Sequence, residues 1–138
     1  MIPVLADSSF FVALYNKRES AHQICASAYE SIQRPLVTCE ACVVEALHLL
    51  NHAAPAVDGI LASLESGALK IPLRIEDHAA ELRGLMRKYR DASADFADLC
   101  LVLLANKLDT GEILTLDRDF RHYRWRRNRP FNLLIPLG

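Results

Sequence analysis

Short apolar runs alternate with longer stretches of helical periodicity along the whole chain. Ile2 to Ala6 is apolar and ends at Asp7-Ser8-Ser9, and Phe10 to Tyr15 then has a helical apolar character, so the pattern predicts a strand, a turn and a helix. A second helix is expected across Ala21 to Ile32. Pro35 to Val37 reads as a brief strand, and Thr38 offers an N-cap hydroxyl to a helix running toward Asn51. Pro55 can start a helix that ends at Ser66-Gly67, followed by a strand from Leu69 to Leu73 and a helix from Ile75 to Tyr89. Ser93 stands where it can cap a strongly apolar helix that reaches about Leu108 and stops at Gly111. Ile113 to Leu116 is a strand by composition, and Phe131 to Ile135, beside Pro130 and Pro136, is the last.

Short apolar strands separated by longer helices predict an α/β fold whose mostly parallel sheet is covered on both faces. Ligands of such sheets gather beyond the carboxyl ends of the strands. Two acids stand at such ends: Asp7 after the first strand and Asp117 after the fourth. There is no repeat or flexible linker, and 138 residues at 51% hydrophobic content suffice for one packed core, so a single domain over 1–138 is expected. The longest apolar run, Leu99 to Ala105, is far short of the ~20 residues a spanning helix needs. The N-terminus lacks the basic start and long apolar middle of a secretory signal, so a cytoplasmic setting is expected. In that reducing setting Cys25, Cys39, Cys42 and Cys100 are expected to be core thiols.

Most of the 17 acids occupy positions where a helix shows water a polar face, as at Glu30, Glu65 and Glu81. Four others interrupt runs that otherwise read as core: Asp7 in VLADSSFF, Glu45 in CVVEALHLL, Asp98 in DFADLCLVLLA and Asp117 in ILTLDRDF. A buried carboxylate is costly unless it is paired, hydrogen-bonded or bound to metal. Arginine pairing could satisfy any one of them. If the fold gathers all four, mutual repulsion raises their pKa values unless a divalent cation neutralises the group. Oxygen ligands without a convincing His or Cys partner select Mg²⁺ or Mn²⁺ over zinc. Asp95 and Asp98, three apart near a helix start, share a face toward one end of the sheet.

The order of these motifs resembles the PIN domain: Asp7-Ser8-Ser9 near the start, Glu45 in a helix, Asp95-Phe96-Ala97-Asp98 opening another, and Leu114-Thr115-Leu116-Asp117-Arg118-Asp119-Phe120 near the end. More closely, it is similar to the VapC-type toxins of bacterial and archaeal toxin–antitoxin pairs. The likeness spans essentially the whole chain, and LTLDRDF in register with FADLCLVLLA is its most specific part. It implies a PIN-like three-layer α/β/α fold with a short, mostly parallel central sheet of about five strands. It further implies that Asp7, Glu45, Asp98 and Asp117 are the catalytic acids that bind Mg²⁺ or Mn²⁺, with Ser9 in support and Asp95 and Asp119 as additional acids. Ser8 stands where the family often has Thr. The activity implied is that of an endoribonuclease, in which the metals activate water for in-line attack on an RNA phosphodiester and leave 5′-phosphate and 3′-hydroxyl ends. A cognate antitoxin and a homodimer are implied by the resemblance alone.

Other signals compete with this reading. Glu45, His48 and His52 have spacings that invite a transition metal, but Glu-x-x-His occurs once and no Glu stands between the two histidines in HExxH fashion. His48 and His52 are expected as helix-surface or capping histidines. Cys39-x-x-Cys42 has no second pair to complete a zinc site. No Gly-rich phosphate loop or Gly-x-Ser-x-Gly elbow is present, which removes nucleotide-dependent and serine-hydrolase chemistry. An aspartate-based phosphatase would want a second Asp where Ser9 stands. A net charge of −1 announces no global attraction to nucleic acid. A local one is expected from the run directly after Asp117, in which Arg121, Arg124, Arg126, Arg127 and Arg129 are the candidate phosphate contacts. Trp125, inside that run, has two open roles, stacking on a base or anchoring the segment. The alternatives that keep the fold are a non-catalytic RNA- or protein-binding module and a PIN nuclease outside toxin–antitoxin systems.

Overall fold

Val4, Leu5 and Ala6 are wholly buried, and the strand they form, β1 (Val4–Ala6), is the middle of a five-stranded sheet. Burial on both faces explains why the run is apolar throughout instead of alternating. The computed structural model describes residues 1–137. After β1 come α1 (Ser8–Tyr15), α2 (His22–Ser31), β2 (Leu36–Val37), α3 (Glu40–Leu49), α4 (Ala54–Ser66) and β3 (Leu69–Lys70). The second half holds α5 (Ala79–Lys88), α6 (Phe96–Leu108), β4 (Glu112–Leu114), the hairpin strands β5 (Arg124–Trp125) and β6 (Arg129–Pro130), and β7 (Asn132–Leu133). The sheet order is β3-β2-β1-β4-β7, and every pairing in it is parallel. The five strands read from the sequence are the five of this sheet.

The chain builds outward from β1 through β2 to β3, then returns to the other side of β1 with β4. That reversal makes the gap between β1 and β4 the topological switch point, where open α/β sheets form their ligand crevice. The period of two along β1 assigns the layers. Val4 and Ala6 pack with Phe10, Phe11, Val43 and Ile60 on one face, whereas Leu5 packs with Leu101, Phe120 and Phe131 on the other. Helix α6 is buried along its length, from Ala97 to Ala105, because α5, the sheet and the segment after Phe120 all press on it. A helix wrapped in this way is apolar all round, which is why its sequence carries no amphipathic stripe. Among the described residues no helix is long and apolar enough to cross a membrane.

Several element ends differ from the sequence-based expectation, each for a local reason. Thr38 does not cap α3; its hydroxyl donates to the Ala6 carbonyl at 2.7 Å and ties β2 to β1. The cap of α6 is Asp95, which accepts from the Ala97 amide at 2.9 Å, while Ser93 adopts a left-handed conformation two residues earlier. Asp109, also left-handed, ends α6 ahead of Gly111. The helix expected from Ile75 is broken at His78, whose backbone leaves the helical region while its ring meets Glu81 at 3.1 Å.

Gly111 has a different task. A Cβ there would fall on the indole nitrogen of Trp125, so the absent side chain is what lets the ring lie against the start of β4. Trp125 is buried, donates Nε1–H to the Pro130 carbonyl at 3.1 Å, and is covered by the Arg129 guanidinium 5.2 Å from the ring centroid. Of its two open roles, the structure selects the anchor. Gly111→Ala should therefore destabilise the fold by about 1–3 kcal/mol through overpacking. Urea titration followed by the emission of this single tryptophan checks it, and an unchanged midpoint with unchanged emission contradicts the packing described here.

Candidate metal centre

The strands end where helices begin, so the residues at the carboxyl edge must cap helix N-termini, and aspartate suits that position. Asp7 caps α1, with Oδ1 accepting the Phe10 amide at 3.2 Å. Asp117 caps the short 3₁₀ turn Arg118–Arg121, with Oδ1 accepting the Asp119 amide at 2.9 Å. Asp98 lies in the first turn of α6, one turn past its cap. The positive ends of α1 and α6 thus meet at the switch point, and both favour negative charge there.

Carboxylate oxygens of Asp7, Asp98 and Asp117 all lie within 4.8 Å of one another. Oxygens bound to one Mg²⁺ at ~2.1 Å in octahedral geometry sit about 3 to 4.2 Å apart, so these three fit a single hard cation with little movement. Among the described residues this is the one group of potential ligands with such spacing. His48 and His52 are exposed and belong to no such group. Cys39 and Cys42, 3.3 Å apart at sulfur, are buried free thiols.

Asp7 is held from three sides. Ser9 donates to Oδ1 at 2.6 Å and Thr115 to Oδ2 at 2.6 Å, beside the Phe10 amide. Both hydroxyls are oriented by the chain leaving β4, since Ser9 accepts the Leu116 amide and Thr115 the Asp117 amide, each at 2.9 Å. With two lone pairs per oxygen, Oδ1 is filled and Oδ2 keeps one free. That remaining lone pair is the one a cation can use.

Burial raises the Asp7 carboxyl to about 6 despite these three donors, with a further push from Asp117. Asp98 is raised to about 7, first by burial and then by Asp117, against a lowering hydrogen bond from the Tyr123 hydroxyl at 3.1 Å. Tyr123 itself is driven well above its ordinary value by burial and by Asp98, so it remains a donor across the working pH range. The cluster therefore resists full ionisation until a cation supplies the missing charge.

Glu45 stands apart from the triad. It lies half-buried on α3, where it accepts a hydrogen bond from the Ser8 hydroxyl, and it lines a cleft of about 290 Å³ with Ser9 and Leu116. Asp95 is exposed and spends its side chain on the α6 cap. Asp119 contributes its amide to Asp117, while its side chain is exposed. Two supporting residues escaped the sequence reading. Thr115 sits inside a strand run where a β-branched hydroxyl is unremarkable, and Tyr123 approaches Asp98 from 25 residues away, a contact no local pattern announces.

The C-terminal arginines are dispersed. Arg121 donates to the Leu137 carbonyl, and Arg124 to the carbonyls of Arg121 and Tyr123. Arg126 reaches the far end of α6, where it pairs with Asp109 at 3.3 Å and its amide meets Asn106. That end is roughly 12 Å along the helix axis from Asp98. Arg127 is exposed in the hairpin turn, and Arg129 covers Trp125.

A family model described as the PIN domain matches residues 4–126. The chain belongs to the PIN-domain family. The PIN fold is also evident in solved structures: the crystal structure of VapC20 from Mycobacterium tuberculosis, a toxin that cleaves the sarcin-ricin loop, superposes with a TM-score of 0.79 at 19% identity, covering 92% of this chain and 99% of that one. No curated protein sequence matches significantly.

The raised carboxyls set a sign for the pH dependence of this PIN domain without metal. An unfolded Asp titrates near 3.8, whereas Asp7 and Asp98 titrate near 6 and 7 in the fold. Between those values the native state binds more protons, so stability is greatest below about pH 4 for these groups and is lost as pH rises through 7. Asp98→Asn keeps the acceptor for Tyr123 and removes one of these charges. Its Tm in EDTA near pH 8 should exceed that of the parent, and the gap should close toward pH 5. Mn²⁺ should raise the parent Tm at pH 8 more than that of the variant. Parallel parent and variant curves across this range would refute the repulsion argument.

Proposed function

We propose that this PIN-domain protein is a divalent-metal-dependent endoribonuclease and the toxin of a toxin–antitoxin pair. The observation that carries the reading is the triad of Asp7, Asp98 and Asp117, packed to within 4.8 Å at the switch point of the sheet. Bound Mg²⁺ or Mn²⁺ supplies charge neutralisation and water activation for in-line attack on an RNA phosphodiester. Asp7, Asp98 and Asp117 would hold the ion, each steered by a donor from a different part of the chain: Ser9 and Thr115, Tyr123, and the Asp119 amide. Glu45, turned by Ser8, is the fourth acid of the proposal and faces the adjoining cleft. Asp95 and Asp119 add negative potential at the rim.

The products of this reaction carry 5′-phosphate and 3′-hydroxyl ends. The setting is cytoplasmic, and the partners are an RNA substrate, a cognate antitoxin and a second copy of the chain. The likeness in fold to VapC20 supports the toxin assignment. Phosphate contact by Arg121, Arg124, Arg126, Arg127 and Arg129 belongs to the same proposal for substrates long enough to follow α6 to its far end.

Purified protein free of any partner should cleave RNA with Mg²⁺ or Mn²⁺ and not in EDTA. Asp7→Asn, Asp98→Asn and Glu45→Gln should each reduce the rate by about a hundredfold or more while circular dichroism stays native. A folded variant of any of the three that cuts at the parent rate removes that residue from the mechanism. Expression of the chain alone should halt growth of a bacterial host, and the Asp7→Asn variant should be harmless. Normal growth at demonstrated soluble expression would sink the toxin assignment while leaving the nuclease assignment to the cleavage assay.

A further inference from the structure

Helices α5 and α6 form an antiparallel pair, shown by the Lys107–Glu81 bridge at 2.9 Å between the end of one and the start of the other. The C-terminal end of α5 therefore lies at the same edge of the molecule as Asp98. Along α5, Arg83 and Arg87 and, just past its end, Arg90 follow one another at four- and three-residue spacing and are all exposed. On a continuous helical turn that spacing places side chains on one face, stepped by roughly 6 and 4.5 Å.

These three arginines border a groove of about 370 Å³. Its apolar lining comes from Ile75, Ala79, Leu82 and Met86, and Phe96 adds an aromatic ring. Phe96 is 36% exposed and opens α6 two residues before Asp98. No acid lines the groove. The side chains of Arg83, Arg87 and Arg90 make no ion pair or hydrogen bond among the described residues, in contrast to those of Arg121, Arg124 and Arg126. An unpaired cationic stripe beside an aromatic face is the chemistry of a single-stranded nucleic-acid track.

We propose that this groove is an RNA-binding subsite, in which Arg83, Arg87 and Arg90 hold backbone phosphates and Phe96 with the apolar lining receives an unstacked base. The assignment rests on the nuclease reading of the Asp7–Asp98–Asp117 centre. A polyanion approaching three carboxylates is repelled, and cations on the approach must offset that repulsion. Arg90 stands nearest the acidic edge, and Arg87 and Arg83 lead away from it along α5. A second copy of the chain is a poorer occupant, because a twofold contact on this face would bring two sets of unpaired arginines together with no acid among the lining residues to meet them.

The test is fluorescence anisotropy of a labelled single-stranded RNA of mixed sequence, titrated with salt in Ca²⁺, together with steady-state cleavage in Mg²⁺. The proteins are the parent, an Arg83→Gln/Arg87→Gln/Arg90→Gln triple variant, Phe96→Ala, and Arg126→Ala/Arg127→Ala as the comparison at the far end of α6. Each phosphate contact on single-stranded nucleic acid contributes about −0.7 to the slope of log affinity against log salt, so the triple variant should flatten it by roughly 2. Phe96→Ala should weaken binding roughly five- to tenfold with the slope unchanged. Apparent KM should rise in both, with kcat at saturation near the parent value. Native circular dichroism and Tm exclude unfolding, since all four side chains are exposed.

Parent-like binding and KM in the groove variants overturn the proposal, as does a loss confined to the Arg126/Arg127 pair. So does an acidic amphipathic peptide that the groove variants release while RNA affinity is untouched, which would make the groove a protein-docking site. A parent that binds RNA through the groove and never cleaves it overturns the nuclease reading instead and leaves the subsite standing.

Discussion

The carboxylates of Asp7, Asp98 and Asp117 repel one another across less than 5 Å in a setting largely closed to water, and the surrounding structure is arranged to hold them there. Three parts of the chain converge for this. The exit of β1 supplies Asp7, the first turn of α6 supplies Asp98, and the exit of β4 supplies Asp117. Ser9 and Thr115 bind the two strand exits into one unit, because each hydroxyl accepts an amide from the chain leaving β4 and donates its own hydrogen bond to Asp7. A disturbance of either hydroxyl moves a strand exit and a carboxylate of the triad together. The helix N-termini at this edge offset part of the repulsion, and the rest is left for a cation.

The parallel sheet makes this concentration of charge possible. Parallel strands all end at the same edge, so the residues that follow them are neighbours whatever their separation in sequence. Register does the fine placement: Leu5 beside Ile113 and Ala6 beside Leu114 set Asp7 and the segment 115–117 next to each other. Helix α6 brings Asp98 to the edge only because it is locked in place by burial from Ala97 to Ala105. Trp125, seated on Gly111, secures the segment that carries Tyr123 to Asp98. Core packing at the opposite end of α6 thereby supports an acceptor geometry at the site.

Much of this was legible in the residues alone. All five sheet strands and the run of α6 follow from apolar periodicity, and Asp7, Asp98 and Asp117 stood out because each interrupts an apolar run, a mismatch that burial makes costly and that function can justify. Glu45 gave the same signal, yet in the fold it faces Ser8 and an adjoining cleft outside the triad. Local pattern reports that a carboxylate is near a core. It does not report which neighbours it meets.

What only the tertiary structure decided are the relations between residues distant in the chain. Thr38 and Ser93 look like helix caps by type, but a cross-strand carbonyl claims the first and a left-handed turn the second. The arginines after Asp117 are adjacent to it in sequence and are carried by the hairpin to the far end of α6, whereas Arg83, Arg87 and Arg90, outside any acidic motif, are returned to its edge by the antiparallel pairing of α5 with α6. The sequence by itself determined which segments bury and which carboxylates need compensation, because burial and charge are properties of a residue and its near neighbours. The partners, the free lone pair on Asp7 and the position of the unpaired cations came from the fold, because hydrogen bonds and Coulomb interactions depend on distances that chain order does not encode.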